Sequence, residues 1–211
     1  MPIHEGQPVH SAGTRLSEAR AAMIMLHGRG SSAENILSLV SDLGHPEFAY
    51  LAPQAAGYSW YPQSFLAPLQ QNEPYLSSAL TAVAQVVRHV REALPTKQIM
   101  LLGFSQGGCL TLEFAARNAA AYGGVIGLSA GLIGPDGTAR DYPGAFADTP
   151  IFLGCSDVDF HVPKVRVDQS AEVFRRMGAN VTERIYPQMG HTINQDEIDF
   201  VKSLMDALIK A

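Results

Sequence analysis

The sequence predicts an α/β fold: a mostly parallel sheet with helices on both faces. Two observations lead there. Short apolar runs alternate with longer segments whose apolar residues recur every three or four positions. Three long stretches, Phe48–Asn72, Gln98–Leu112 and Asn118–Pro135, hold no charged residue. Such stretches suit strands buried on both faces, or the wall of an uncharged pocket. With 211 residues, 46% of them hydrophobic, a single domain over residues 1–211 is expected.

The elements follow in order. Ala21–Leu26 is a first strand. Ser31 with Glu34 has the spacing of a capping box and opens a helix to about Leu43. Phe48–Ala52 is a second strand, and a long loop runs from there to about Asn72. Tyr75–Leu94 is the clearest helix, with Leu76, Leu80, Val83, Val87, Val90 and Leu94 on one face. Gln98–Leu102 is a strand and Gln106–Asn118 a helix. Gly123–Leu128 and Ile151–Gly154 are strands. Pro163, a favoured first helical residue, opens the next helix. Asn180–Tyr186 is a last strand, and Ile198, Val201, Leu204, Met205 and Leu208 mark a final amphipathic helix.

Composition excludes several classes. Only 17% of residues are charged, too few for a disordered chain of this apolar content. A net charge of −5 argues against nucleic acid, which needs a basic face. Cys109 and Cys155, the two cysteines, make neither a disulfide framework nor a four-cysteine zinc site. The first thirteen residues lack the pattern of a signal peptide, and no apolar run reaches the roughly 18 residues of a membrane span. A cytoplasmic protein without stable membrane insertion is expected, and a homodimer is compatible with so uncharged a surface.

In such sheets ligands sit at the carboxyl ends of the strands, so the loops after the strands are where chemistry is expected. Two segments match G-x-S-x-G: Gly103–Gly107 around Ser105 and Gly127–Gly131 around Ser129. The motif has mechanical meaning only at a strand-to-helix turn. Ser105 has that context, because Cys109–Arg117 continues as a helix. Ser129 is followed by Gly131, Gly134 and Pro135, which do not sustain one. A serine hydroxyl needs a base, and the base a third group to orient it. His191 follows the last strand. Asp157 is the expected acid, ahead of Asp159, because it lies nearer the end of its strand. Asp159 is read as a loop acid bonding nearby backbone. Asp157, Asp159 and His161 alternate as metal ligands can, but without the Gly and Glu of a calcium loop, and no metal is expected. His27 is read as a buried histidine bracing its loop, and Cys109 as a small buried apolar residue.

Leu26-His27-Gly28-Arg29-Gly30, Gly103-Phe104-Ser105-Gln106-Gly107-Gly108, Asp157 near Val162-Pro163, and Gly190-His191 together resemble the phospholipase/carboxylesterase family of α/β-hydrolases, which includes the acyl-protein thioesterases. The resemblance implies a compact serine hydrolase with no separate lid domain and no cofactor. It also implies an oxyanion hole made by the backbone N–H groups of Arg29 and Gln106. Two runs depart from the family. Arg29-Gly30-Ser31 stands where thioesterase members commonly have an apolar residue and then Gly-Asp. Trp60-Tyr61-Pro62 stands where relatives often have Trp-Phe-Asp.

The expected reaction is hydrolysis of a small-molecule carboxylic ester through an acyl-enzyme. Ser105 is the nucleophile, His191 the base and Asp157 its orienting acid. Trp60, Tyr61, Phe65 and His161 are the expected substrate contacts, within an acyl-side wall formed by Pro53–Asn72. The Arg29 side chain could favour an acidic substrate. A thioesterase or small peptidase would use the same triad. A hydrolase fold kept as a small-molecule receptor is the alternative of another class.

Overall fold

In the computed structural model, residues 3–210 are described, so Met1, Pro2 and Ala211, the ends of the expected 1–211 domain, lie outside the described residues. Among the described residues seven strands form one sheet in the order β1-β3-β2-β4-β5-β6-β7. The strands are β1 (Val9–Gly13), β2 (Ala21–Leu26), β3 (Phe48–Pro53), β4 (Ile99–Phe104), β5 (Gly124–Leu128), β6 (Pro150–Ser156) and β7 (Asn180–Tyr186). Only β1 runs antiparallel, pairing Val9 with Pro53 and Gly13 with Ala49. All other neighbours are parallel, with Leu26 opposite Gly103, Phe104 opposite Leu128 and Leu128 opposite Gly154. The carboxyl ends of β2, β4, β5 and β6 are thereby brought level.

Every residue of β2, β3 and β5 is buried, which accounts for their unbroken apolar runs. Alternate residues face opposite sides of the sheet and feed two cores. On one face Ile24, Leu101, Val125 and Leu153 pack with α3 (Tyr75–Arg91), α4 (Gln106–Arg117) and α5 (Lys164–Arg176). On the other, Met23, Met25, Met100, Leu102 and Ile126 pack with α1 (Ala33–Leu37), α2 (Val40–Leu43) and α6 (Gln195–Lys210). In α3 the residues Leu76, Ala79, Val83, Val86, Val87 and Val90 are buried. Each larger member stabilises the fold by about 1.5–3 kcal/mol relative to exposure.

Two local expectations are corrected. The helix expected from Ser31 to Leu43 is two short helices, and its cap is Ser32, whose Oγ accepts the Asn35 N–H at 3.2 Å. Serines break it: the Ser38 and Ser41 hydroxyls donate to the carbonyls of Asn35 and Ser38 at 2.7 and 2.8 Å, competing with the helix ladder. Strand β1 was not expected. It lies at the sheet edge, is partly exposed throughout, and has a single large apolar residue, Val9. A half-solvated edge strand needs little of the apolar pattern that marks a strand in sequence.

Candidate active site

Ser105 sits between β4 and α4 with φ 55° and ψ −122°. A non-glycine residue held there stores roughly 1–3 kcal/mol of strain, which the surroundings must impose. They do so through the Ser105 N–H, which donates to Leu128 O at 2.9 Å, and through Ser105 O, which accepts from Cys109 N–H at 2.9 Å. Glycine is required beside it. A Cβ on Gly107 would collide with the carbonyl oxygens of Leu26 and His27, and one on Gly103 with the Gly107 carbonyl. α4 can therefore press against the end of β2 and bring the Arg29 turn beside Ser105. Ser129, by contrast, is a buried turn residue at φ 46° whose Oγ lies 3.4 Å from Thr192 O.

His191 follows β7 on the turn Gln188–Gly190. Its Nε2 lies 2.8 Å from Ser105 Oγ and its Nδ1 lies 2.7 Å from Asp159 Oδ2. A ring nitrogen facing a carboxylate carries the proton, which leaves the Nε2 lone pair facing the serine hydroxyl.

The acid is a correction: Asp159, not Asp157, meets His191. β6 extends two residues beyond Gly154, to Ser156, and the Asp157 N–H still donates to Tyr186 O at 3.1 Å. The Asp157 side chain leaves on the exposed side, where Oδ1 accepts the Gln188 N–H at 2.7 Å. Asp159 lies in the turn that follows. Its Oδ1 accepts the N–H groups of His161 and Val162 at 2.8 and 3.0 Å, and its side chain is wholly buried. Burial raises the Asp159 pKa. The hydrogen bonds from His191, His161 and Val162 outweigh burial, and the net direction is down. The backbone bonding expected of Asp159 as a loop acid is the device that aims it at His191.

A cavity of about 490 Å³ opens at Ser105 and His191. Tyr61, Phe65 and His161 line it, with Phe104, Cys109 and Val162. Trp60 does not, contrary to expectation. It is fully buried behind the wall, and its Nε1 donates to His27 O at 2.9 Å. The Tyr61 hydroxyl is buried with no hydrogen-bond partner among the described residues. Burial pushes the Cys109 thiol up to about 12, so it stays neutral. Of the side chains lining the cavity only Arg29 carries a fixed charge, and among the described residues it makes no ion pair. Its guanidinium donates instead to Pro62 O at 2.9 Å, Gln63 O at 2.6 Å and Ser59 Oγ at 3.3 Å.

The backbone N–H groups of Arg29 and Gln106 both belong to cavity-lining residues, and neither has a partner among the described residues. His27 braces this turn from behind. Its Nδ1 lies 2.8 Å from Gly28 O, its Nε2 accepts the Ala55 N–H at 3.1 Å, and burial lowers its pKa, keeping it neutral. Two buried groups escaped sequence reasoning. The Gln106 side chain grips residues 60 and 61, and Glu197 is completely buried beneath the end of β6. Glutamine and glutamate look like surface residues in sequence, and nothing in their spacing marked either.

A strained serine at a strand–helix turn, hydrogen-bonded through histidine to a buried carboxylate, on a mostly parallel seven-stranded sheet, defines a serine hydrolase of the α/β-hydrolase fold. Residues 14–209 match the family model described as Phospholipase/Carboxylesterase, and the chain belongs to that family. A phospholipase/carboxylesterase structure from Dyadobacter fermentans is 43% identical, superposes with a TM-score of 0.91, and is matched over 97% of each chain. Acyl-protein thioesterase 1 of Emericella nidulans is 26% identical across 93% of this chain and 93% of that one. Acyl-protein thioesterase 1 of Gibberella zeae is 30% identical over 123 residues, 57% of this chain and 52% of that one. The Bacillus cereus carboxylesterase, at 14% identity and a TM-score of 0.76, shares the fold. Among the described residues no helix is long and apolar enough to cross a membrane.

Proposed function

We propose that this protein hydrolyses small carboxylic esters through an acyl-enzyme on Ser105. The observation that carries the reading is one continuous chain of hydrogen bonds, Ser105 Oγ to His191 Nε2 at 2.8 Å and His191 Nδ1 to Asp159 Oδ2 at 2.7 Å, on the wall of the cavity. Ser105 Oγ attacks the ester carbonyl while His191 Nε2 takes its proton. The developing oxyanion is held by the N–H groups of Arg29 and Gln106. His191 then gives the proton to the leaving alkoxide, and the alcohol departs. Water, deprotonated by His191, attacks the acyl carbonyl and frees Ser105 with a carboxylic acid as product. Asp159 keeps the imidazole in the required tautomer and supports the imidazolium that forms.

Thioesters would follow the same steps, and the thioesterase relatives give that reading its support. The cavity wall bears on the acyl group, which both readings share. Tyr61, Phe65, Phe104 and Val162 offer an apolar surface of limited volume, suited to short or compact acyl groups. The test is a panel of p-nitrophenyl esters of two to twelve carbons with matched thioesters, run beside Ser105→Ala. The expected result is turnover highest for short esters and lost by at least 10³-fold in the variant. Wild-type turnover in Ser105→Ala would reject the reading.

A further inference from the structure

The turn Gly28-Arg29-Gly30 lies outside any helix or strand, with Gly30 at φ 73°. The turn has little stiffness of its own, yet a hydrogen-bond donor for a developing oxyanion must already be in position when charge appears. What holds it is the segment 58–63. Tyr58 O accepts the Gly30 N–H at 2.7 Å, and Trp60 Nε1 donates to His27 O at 2.9 Å. The Arg29 guanidinium spans the carbonyls of Pro62 and Gln63. The other donor segment grips the same strap. Gln106 Oε1 accepts the Trp60 N–H at 2.9 Å, and Gln106 Nε2 donates to Tyr61 O at 2.7 Å. The two cavity-lining residues whose backbone N–H groups have no partner among the described residues thus both bind one strap with their side chains.

We propose that the Arg29 and Gln106 side chains are positioning groups: they clamp the strap 58–63 and so fix the separation of the two oxyanion donors. This rests on the serine-hydrolase reading above. The chemistry of the two side chains fits the task. A planar guanidinium fork reaches the two successive carbonyls from two separate nitrogens, a geometry that a lysine's single nitrogen does not reproduce. A carboxamide both accepts from Trp60 and donates to Tyr61, and a glutamate loses the second of these. The clamp gives the Arg29 side chain a role other than favouring an acidic substrate or standing as a solvated loop cation, since both terminal nitrogens are already engaged by the protein.

The test compares Arg29→Met, Arg29→Lys, Gln106→Met and Ser105→Ala on a neutral short ester and on a matched ester with a carboxylate on its leaving group. A trifluoromethyl ketone, whose adduct places an oxyanion in the hole, is the third probe. For Arg29→Met and Gln106→Met the expected result is a kcat 10- to 100-fold lower on both esters, with KM within about threefold. Affinity for the ketone should fall in step with kcat. A loss of packing alone would not tie ketone affinity to kcat. Arg29→Lys keeps the charge and the stem, guarding against misfolding, and should recover only a small part of kcat. Two results overturn the proposal. One is unchanged kcat on the neutral ester. The other is a loss confined to the anionic ester and restored by lysine, which makes Arg29 a substrate contact. Full activity in Ser105→Ala would instead reject the hydrolase reading itself.

Discussion

At the scale of single residues, the site turns on which carboxylate meets His191. Counting from the strand end selects Asp157, and the count fails because β6 keeps pairing with β7 as far as Ser156 and Tyr186. The better signal was local: an acid two and three residues before two N–H groups that it can accept, just ahead of Pro163 and α5. Asp159→Asn should lower kcat by about 10³–10⁴-fold, because an amide no longer selects the required tautomer. Asp157→Asn should stay within about threefold. Steady-state kinetics of the pair checks this, and the opposite ranking would return the role to Asp157. Glu197 gives a second prediction. Its Oε2 accepts the Asn194 N–H at 2.9 Å, while Oε1 lies against Gly154 with no partner among the described residues. Burial pushes this carboxyl up to about 7. A folded pKa above the unfolded value of 4.5 means stability that is present below pH 4.5 and lost as pH rises through 7. Glu197→Gln should match the wild type near pH 4.5 and exceed it by up to about 3 kcal/mol at pH 8.5 in urea unfolding. Parallel pH curves for the two proteins would remove Glu197 as the cause.

At the scale of elements, what was legible follows burial. β2 and β7 fall on the residues read from sequence, and the Ser105 turn was marked by a strand, two glycines and a helix in the right order. The edge strand β1 and the broken helix α1–α2 were not, because solvent and serine hydroxyls there supply what apolar pattern supplies elsewhere. The strap 58–63 was legible only as an uncharged aromatic segment. Sequence could not divide the roles there: Trp60 faces the core and the Arg29 turn, while Tyr61, and Phe65 just beyond the strap, line the cavity. Trp60→Ala should therefore cost stability, about 3–5 kcal/mol. Phe65→Ala should instead shift acyl preference towards longer chains, with a stability cost of its own because Phe65 both lines the cavity and packs in the core. An acyl-length profile separates the two, with melting curves reporting the stability cost of each. Selectivity changed by Trp60→Ala at unchanged stability would contradict this division.

At the scale of the whole molecule, parallel strands bring the level carboxyl ends of β2, β4, β5 and β6 together, and the last turn of β7 delivers His191 to them. Sequence order pointed there, because Ser105 follows β4, the acid follows β6 and His191 follows β7, with one strand between nucleophile and acid. The uncharged stretches had two proposed origins, and both hold in different places. β3, β4 and β5 are buried strands, while residues 61–65 and 104–106 form the cavity wall. One activated serine is expected at this end of the sheet. Intact mass and peptide mapping after a brief exposure to a fluorophosphonate test it directly. The expected result is one adduct per chain, on Ser105, formed at least 100-fold more slowly in Asp159→Asn. An adduct on Ser129, or a folded protein that stays unlabelled, would contradict it.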